Sequence, residues 1–176
     1  MQRVSVVGSS GSGKSTLAGR LADTLEIPYV ELDALHWGPS WTEASAEELR
    51  ARVAEVTATE AWVIDGNYQS KIGSLVWERA DTVVWVNPPR WRAMVQVLAR
   101  TVRRVRAQEE LWSGNREGWR GLMVWRGEES VVWWAWHSYG PTRDRYLAAM
   151  TSGPHASLAW HRLRSRRETA AFMESL

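Results

Sequence analysis

The feature that most constrains this chain is a glycine-rich string placed directly behind a short apolar run near the N-terminus. Residues 8–15 read Gly-Ser-Ser-Gly-Ser-Gly-Lys-Ser and match the pattern G-x-x-x-x-G-K-[ST]. In such a loop the glycines let the backbone curve around a polyphosphate with its N–H groups turned inward, and the next helix adds its positive N-terminal dipole. The preceding apolar run predicts a strand, and Leu17, Leu21 and Leu25 are spaced as on one helix face. The residues predicted to hold a nucleotide are Gly8, Ser9, Ser10, Gly11, Ser12, Gly13, Lys14, Ser15 and Thr16.

Two residues of this loop and two aspartates are predicted to carry the chemistry. The Lys14 ammonium would reach the β- and γ-phosphates, and the Ser15 hydroxyl would bind Mg²⁺. Asp33 and Asp65 each follow a predicted strand, and the carboxyl ends of parallel strands meet at one crevice. We expect Asp65 to hold Mg²⁺, directly or through water, and Asp33 to orient or deprotonate an acceptor hydroxyl. The alternative for Asp33 is that it only caps the turn after the second strand.

Several classes of protein are disfavoured by residue types that are missing. Motor ATPases use a second acid after the magnesium aspartate, and here that position is Gly66; no N-K-x-D guanine signature occurs either. The 176 residues include no cysteine and 4 scattered histidines, which excludes disulfides, thiolate catalysis and cysteine-based zinc sites. We therefore expect ATP as the nucleotide and its Mg²⁺ as the metal.

Apolar runs alternate with helical patterns, which predicts a single α/β domain with a doubly wound parallel sheet. Strands are predicted at residues 3–7, 28–32, 61–64, 82–86 and 156–161. Helices are predicted at residues 13–25, 42–59, 69–78, 89–107 and from 165 to the C-terminus. Because no apolar run approaches the roughly 20 residues that span a bilayer and the first strand starts at once, we expect a cytoplasmic protein without membrane contact.

The stretch from about 108 to 151 departs from this alternation and is predicted to be an inserted helical lid. Its second half carries helix signals, with Ser130 as a candidate cap, and Gly140-Pro141 predicts a break between two helical pieces. Near the glycine-flanked tip of the lid, Arg116 and Arg120 are candidates to reach the nucleotide when the lid closes and excludes water.

The predicted helix before the lid is expected to have one apolar face and one cationic face. Arg100 and Arg104, four residues apart, would project together and clamp the transferring phosphoryl group, unless they only form a solvated charged face. The predicted apolar face consists of Trp91, Met94, Val95, Leu98, Val102 and Val105.

Aromatic and polar side chains after the second and third strands are predicted to line the acceptor side of the crevice next to Asp33. Aromatic walls suit a ring or a sugar, whereas the histidine among them is more often a satisfied polar side chain than a catalyst. These residues are His36, Trp37, Trp41, Asn67 and Tyr68.

Basic residues are numerous, but the net charge is only +2. Of the 22 basic residues only Lys14 and Lys71 are lysines, and we attribute the arginine excess to genome composition rather than to nucleic-acid binding. A lysine in a chain whose other basic residues are nearly all arginines suggests a chemical requirement for a compact ammonium group.

Six strings along the chain resemble the nucleoside-monophosphate-kinase-like P-loop kinases. The resemblance is closer to a group of small bacterial proteins described as adenylate-kinase-like or DNA topology modulation protein, and it runs nearly end to end. The strings lie at residues 8–16, 31–37, 62–68, 87–90, 110–117 and 163–168. The Asp-Gly-Asn-Tyr and Trp-Ser-Gly-Asn-Arg-Glu sequences within them are specific to the closer group.

This resemblance implies a five-stranded parallel sheet in the order 2-3-1-4-5, an acceptor pocket near the second helix and an arginine-bearing lid. In similar kinases the loop after the last strand borders the adenine, which would place Arg164 and Ser165 there. Adenylate kinases have an arginine after the third-strand Asp-Gly to hold the acceptor's phosphate, and this chain has Asn67 instead. Without a bidentate guanidinium, a phosphomonoester loses its natural partner, although Lys71 could substitute in part.

Three kinds of function stay open. The leading hypothesis is an ATP- and Mg²⁺-dependent kinase acting on a small hydroxyl-bearing nucleoside, sugar or ring compound, with a nucleoside monophosphate kinase as its variant. The second is a nucleic-acid-associated P-loop NTPase, suggested by arginine clusters at residues 100–106 and 162–167. The third is a nucleotide-sensing toxin or switch without an acceptor.

Overall fold

The core of the molecule is one five-stranded parallel sheet. In this computed structural model the side chains of residues 1–127 and 130–176 are described. The strands are β1 (Arg3–Gly8), β2 (Tyr29–Glu31), β3 (Trp62–Asp65), β4 (Thr82–Val86) and β5 (Ala159–Leu163). Their order in the sheet is β2-β3-β1-β4-β5, which confirms the predicted fold class and strand order.

Helices connect the strands in the manner of βαβ units. They are α1 (Lys14–Leu25), α2 (Leu32–His36), α3 (Ala46–Thr57), α4 (Gln69–Ile72), α5 (Leu75–Arg79), α6 (Arg90–Ala107), α7 (Val131–Ser152) and α8 (Arg166–Glu174). Short 3-10 turns lie at Pro39–Trp41, Trp112–Gly114, Trp119–Leu122 and Val124–Glu129. Within the described part of the chain, none of the helices has the length and apolar character needed to cross a membrane.

The sheet has an apolar core on each side, because successive strand residues point to opposite faces. Helices α1 and α8 cover one face, where the buried residues include Val4, Val6, Leu17, Leu21, Val63, Val84 and Phe172. Helices α3, α5 and α7 cover the other face, where the buried residues include Leu49, Val53, Trp62, Trp77, Trp85 and Tyr146. This two-sided burial explains why the three central strands, β1, β3 and β4, read as mostly apolar runs.

The strand register brings the predicted functional residues to one edge of the sheet. Glu31 pairs with Asp65, and Asp65 pairs with Val6. Gly8, the last residue of β1, pairs with Val86 at the end of β4. The glycine-rich loop therefore leaves the sheet centrally, between the carboxyl ends of β3 and β4.

Several element boundaries differ from the predicted ones. Helix α3 begins at Ala46, four residues later than predicted. Strand β2 ends at Glu31 and the chain enters α2 at once, so Asp33 lies on a short helix and not in an open turn. The single helix predicted over 69–78 is two helices, because Gly73 between them has a left-handed φ of 62°. Strand β5 starts at Ala159, three residues later than predicted, after a series of tight turns.

The buried face of α6 also differs from the predicted one. The buried residues of this helix are Ala93, Met94, Val97, Thr101 and Val105. Apolar residues that remain exposed are Trp91, Val95 and Leu98. The predicted face is therefore wrong in part, because α6 has apolar residues on two sides. The side with the smaller residues is the one that packs against the glycine-rich loop at Gly11.

The two helical pieces predicted around Gly140-Pro141 are one continuous helix, α7, with Pro141 in its interior. Proline removes one backbone hydrogen bond, but Ala135 and Tyr146 on either side of it are both buried. The packing of α7 on both sides of Pro141 thus outweighs the free-energy cost of the missing backbone hydrogen bond. Ser130 caps the helix as predicted, since its hydroxyl accepts a hydrogen bond from the Trp133 N–H at 3.3 Å.

Candidate functional site

The glycine-rich loop of residues 8–15, called the phosphate loop below, needs glycine at specific positions for steric reasons. A Cβ at Gly8 would lie 2.5 Å from the carbonyl oxygen of Val86. A Cβ at Gly11 would lie 2.4 Å from the carbonyl oxygen of Ala93 in α6, and φ at Gly11 is 71°. The loop is thus held between the end of β4 and helix α6.

Lys14 and Asp65 meet at the mouth of this loop. Lys14 is the first residue of α1, and Asp65 is the last residue of β3. Their charged groups lie 3.6 Å apart, with the Lys14 side chain 14% exposed and the Asp65 side chain 1% exposed. The pair therefore connects the loop to the neighbouring strand and places an ammonium group at the opening of the loop.

Asp65 is suited to hold a divalent cation with the Ser15 hydroxyl. Burial raises the pKa of Asp65, whereas Lys14 and the Ser15 hydroxyl lower it. Among the described residues, Oδ1 of Asp65 is buried without a hydrogen-bond partner. A buried carboxylate oxygen beside a hydroxyl is the kind of oxygen donor that Mg²⁺ prefers, so these residues fit the predicted metal.

Asp33 lies beside this pair and has its own hydroxyl partner. The Tyr68 hydroxyl donates a hydrogen bond to Oδ1 of Asp33. The Asp33 charge also raises the pKa of Asp65 and the pKa of Arg100, so its carboxylate lies within electrostatic reach of both. The predicted meeting of Asp33 and Asp65 at one edge is thus present in the structure.

Of the two arginines predicted to act as a clamp, only Arg100 faces the phosphate loop. Its guanidinium donates a hydrogen bond to the Ser10 hydroxyl at 3.3 Å, and burial and then the neighbouring Arg104 lower its pKa. Arg104 instead forms ion pairs with Glu117 at 2.8 Å and with Glu109 at 3.6 Å. The structure therefore brings Arg100, and not Arg104, into contact with the phosphate loop.

His36 is buried among aromatic and charged groups. Its side chain is 2% exposed, and its ring lies 4.7 Å from the rings of both Trp37 and Tyr68. Burial lowers the pKa of His36, and the nearby Lys71 lowers it further. Lys71 itself forms a 2.6 Å ion pair with Glu43. The positive charge of Lys71 is therefore largely compensated by a carboxylate of this chain.

Two tryptophan-containing turns close the side of the crevice on which an acceptor was predicted to bind. We call residues 37–41 the first tryptophan turn and residues 112–115 the second. Side-chain atoms of Asn115 bond to the Trp41 N–H and the Gly38 carbonyl, at 2.9 and 2.8 Å. The Ser113 hydroxyl donates to the Trp37 carbonyl at 2.7 Å. The second turn is thus docked on the first through polar contacts.

Glu31 joins the second tryptophan turn to the sheet. Its carboxylate accepts a hydrogen bond from the Trp112 indole N–H at 2.9 Å. Burial raises the pKa of Glu31, and the carboxylates of Asp33 and Asp65 raise it further. Glu31 was not among the predicted site residues, although its position at a strand end, two residues before Asp33, was a usable signal.

The remaining predicted nucleotide contacts lie at the periphery. Arg116 is exposed and forms a 3.8 Å ion pair with Glu110. Arg164 and Ser165 line a shallow cleft that also includes Ser12 of the phosphate loop and residues of α6. Ser165 caps α8 by accepting a hydrogen bond from the Glu168 N–H at 3.1 Å. The position of Arg164 and Ser165 is compatible with the predicted adenine side.

Asn67, predicted to line the acceptor side, has its amide turned toward the phosphate loop. Its side chain pairs with the backbone of Gly8 and accepts a hydrogen bond from the Tyr146 hydroxyl at 2.7 Å. Tyr146 was not among the predicted site residues. A single tyrosine in a helical pattern does not indicate that its hydroxyl contacts a residue far away in the chain.

Comparison with family models agrees with this geometry for the N-terminal part of the chain. A model described as ATPase family associated with various cellular activities (AAA) matches residues 4–65, which run from β1 to Asp65. A comparison with curated proteins finds no significant match.

Comparison with solved structures extends the similarity to nearly the whole chain. A sugar kinase from Janibacter sp. has a TM-score of 0.55 and 16% identity, covering 99% of this chain and 91% of that one. A gluconokinase from Sinorhizobium meliloti has a TM-score of 0.54 and 16% identity, with coverage of 99% and 92%. A shikimate kinase from Acinetobacter baumannii, in complex with shikimate, has a TM-score of 0.52 and 15% identity, with coverage of 99% and 90%. The chain therefore shares the fold of these P-loop kinases.

Proposed function

We propose that the protein is an ATP- and Mg²⁺-dependent phosphotransferase that acts on a hydroxyl group of a small molecule. The observation that carries this proposal is the grouping of Lys14, Asp65 and Asp33 at the mouth of the phosphate loop. A cradle for phosphates, oxygen ligands for a metal and a carboxylate beside them are the parts that phosphoryl transfer requires. Kinases among the proteins of the same fold support this function.

In the proposed reaction the phosphate loop holds ATP, and Lys14 neutralises charge on the β- and γ-phosphates. The acceptor oxygen forms a bond to the γ-phosphorus while the bond from that phosphorus to the β–γ bridging oxygen breaks. The acceptor proton passes to the Asp33 carboxylate, which the Tyr68 hydroxyl holds in position. Arg100 neutralises charge on the transferring group, and ADP leaves.

Ser15 and Asp65 are the residues that would hold Mg²⁺. When bound, Mg²⁺ supplies positive charge that stabilises the phosphate oxygens during transfer. Lys14 remains next to Asp65 in this arrangement, and its positive charge lowers the pKa of the carboxyl group, against the effect of burial.

The acceptor in this proposal carries a free hydroxyl and no phosphate group. A phosphomonoester is best held by a guanidinium that makes two parallel hydrogen bonds. Of the cations predicted to contact the acceptor or the transferring phosphoryl group, however, Lys71 is paired with Glu43, and Arg104 is paired with Glu117. These ion pairs support a nucleoside, sugar or ring compound over AMP.

The strings at residues 65–68 and 112–117 support assigning the protein to the adenylate-kinase-like or DNA topology modulation group, but with an acceptor other than a nucleotide. We propose a cytoplasmic location as well, because the proposed phosphate donor is ATP.

A screen for ADP release tests the function. The purified protein with Mg-ATP is offered a panel of sugars, polyols, cyclic alcohols, nucleosides and nucleoside monophosphates. We expect a compound with a free hydroxyl and no phosphate to raise ADP release above the rate without acceptor. Stimulation by nucleoside monophosphates alone would contradict the acceptor class. Stimulation by no compound would favour the sensing or switch alternative.

Variants then assign the roles with the best acceptor. We expect Asp33→Asn to lower kcat about 10²- to 10⁴-fold, the usual contribution of a general base. Lys14→Ala should lower kcat about 10²- to 10³-fold, because one charge at the developing transition state is lost. Asp23→Asn, at an exposed position of α1, is the matched control and should retain activity. Wild-type rates in the Asp33 and Lys14 variants would refute the proposed mechanism.

A further inference from the structure

The amide of Asn67 makes a two-bond pair with the backbone of Gly8, the first residue of the phosphate loop. The Gly8 N–H donates to Oδ1 of Asn67 at 3.2 Å, and Nδ2 of Asn67 donates to the Gly8 carbonyl. These bonds occupy one donor and one acceptor of the amide. The Asn67 amide is thus turned toward the phosphate loop, and one N–H of its Nδ2 is not used by these bonds.

This pair extends the ladder between β1 and β3 by one step. The last backbone bond of that ladder runs from the Gly66 N–H to the Val6 carbonyl at 3.3 Å. Beyond it β3 has ended, and the Asn67 side chain takes the place of the missing backbone partner of Gly8. The chain direction at the start of the phosphate loop therefore depends on a side chain.

Tyr146 fixes the orientation of that amide. Its hydroxyl donates to Oδ1 of Asn67 at 2.7 Å, so Oδ1 faces two donors while Nδ2 faces a carbonyl. The opposite orientation of the amide would turn Nδ2 toward both donors. The Tyr146 ring is 0% exposed and lies 5.9 Å from the Trp77 ring and 5.7 Å from the Trp85 ring, which holds the hydroxyl in place.

We infer that Asn67 and Tyr146 are positioning residues for nucleotide binding, which act in series on the Gly8 peptide and connect helix α7 to the phosphate loop. The inference rests on the proposed function in one respect, that the loop binds Mg-ATP. Tyr146 touches no part of the loop itself in this scheme and acts through the Asn67 amide. Helix α7 directly follows its cap Ser130 and the 3-10 turns of residues 119–129. The contacts of Tyr146 and Asn67 therefore connect the helix that follows these turns to the phosphate loop.

A double-mutant cycle on nucleotide affinity tests the series arrangement. Calorimetry measures the Kd for Mg-ATP of the wild type, Tyr146→Phe, Asn67→Ala and the double variant. Tyr146→Phe keeps the ring packing and should raise the Kd about threefold to tenfold, the effect of one hydrogen bond. Asn67→Ala should raise the Kd by at least as much. The double variant should be no weaker than Asn67→Ala alone, because Tyr146 acts through Asn67.

A control separates this role from general loss of stability. Thr57→Val removes another buried hydroxyl, which donates to the Val53 carbonyl at 2.8 Å in α3, away from the phosphate loop. We expect this variant to lose stability and keep the wild-type Kd. A Kd raised equally in Thr57→Val would overturn the inference, since the effect would then be general.

A measurement without nucleotide distinguishes failure of the inference from failure of the proposed function. Amide hydrogen exchange of Gly8, followed by NMR, should accelerate in Asn67→Ala and, by a smaller factor, in Tyr146→Phe. Unchanged exchange and unchanged Kd values would overturn the inference alone, with the proposed function intact. A wild-type protein that binds neither Mg-ATP nor Mg-GTP would overturn the proposed function, and with it the role of these residues in nucleotide binding. Additive effects in the double variant would refute the series arrangement.

Discussion

Replacing Gly11 with alanine is expected to destabilise the protein by about 2–5 kcal/mol, the sum of a backbone cost and a packing cost. The backbone at Gly11 has a left-handed φ of 71°, and a residue with a Cβ in that region costs about 1–2 kcal/mol. The new methyl group would lie 2.4 Å from the Ala93 carbonyl oxygen and 2.5 Å from Cγ2 of Val97. Because these atoms belong to the rigid helix α6, relieving the overlap should cost another 1–3 kcal/mol, about the range for overpacked cores.

Two other glycines of the same region separate these costs. Gly13 has a left-handed φ of 93°, but the nearest atom to its Cβ position is 3.8 Å away. Gly13→Ala should therefore show only the backbone cost, about 1–2 kcal/mol. Gly19 lies inside α1 with nothing within 4 Å of its Cβ position. Gly19→Ala should stabilise the protein by about 0.5–1 kcal/mol, because alanine favours the helix.

Urea unfolding followed by circular dichroism measures these differences. The experiment is done without nucleotide, since a methyl group in the loop could also touch a bound phosphate. For a domain of this size, 1 kcal/mol corresponds to a Tm change of roughly 2–4 °C, which gives a second measurement. If Gly11→Ala and Gly13→Ala are equally destabilised, the close approach of α6 to the phosphate loop is not what selects glycine at position 11.

Three further predictions concern the metal site, a helix cap and pH. Asp65→Asn removes the buried carboxylate and should weaken Mg-ATP binding far more than binding of ATP with EDTA, as calorimetry can show; equal losses would argue against a metal ligand. Ser45→Ala removes the capping box that Ser45 forms with Glu48 and should cost about 1 kcal/mol in urea unfolding, whereas an unchanged midpoint would mean that α3 does not need this cap. Burial and Lys71 lower the pKa of His36 below 6.5 in the folded state. As pH falls below 6.5, the His36 ring is therefore protonated in the unfolded chain before it is protonated in the folded protein. The folded state loses stability over this range. His36→Gln should flatten this loss between pH 7.5 and 5.5, and an unchanged slope would assign it to other groups.

The fold and the central part of the site could be predicted from the sequence because their signals are local. Apolar runs mark the strands, and the glycine-rich string marks the loop and the helix after it. Parallel strands bring the residues after them to one edge, which is why Asp33 and Asp65 were expected near Lys14 and are found there. Strand topology and hydrophobic periodicity were therefore sufficient to predict the sheet, the phosphate loop and the aspartates beside it.

Contacts between distant segments could not be predicted, because they depend on which partners tertiary packing brings together. The sequence shows Arg100 and Arg104 as equivalent neighbours. In the structure Arg104 pairs with Glu117, whereas Arg100 bonds to the Ser10 hydroxyl. The two apolar sides of α6 have similar periodicity, and the close approach of Gly11 selects one of them. The partnership of Asn67 with Tyr146 spans 79 residues and leaves no pattern in the chain.

The docking of the two tryptophan turns has a consequence for how molecules reach the crevice. Asn115 and Ser113 together bond three backbone groups of the first turn, and Trp112 is bonded to Glu31. A compound that entered between these turns would do so only after these polar contacts had broken. Its rate of entry would then depend on how often the two turns separate and for how long, so that a faster-diffusing compound would gain no advantage.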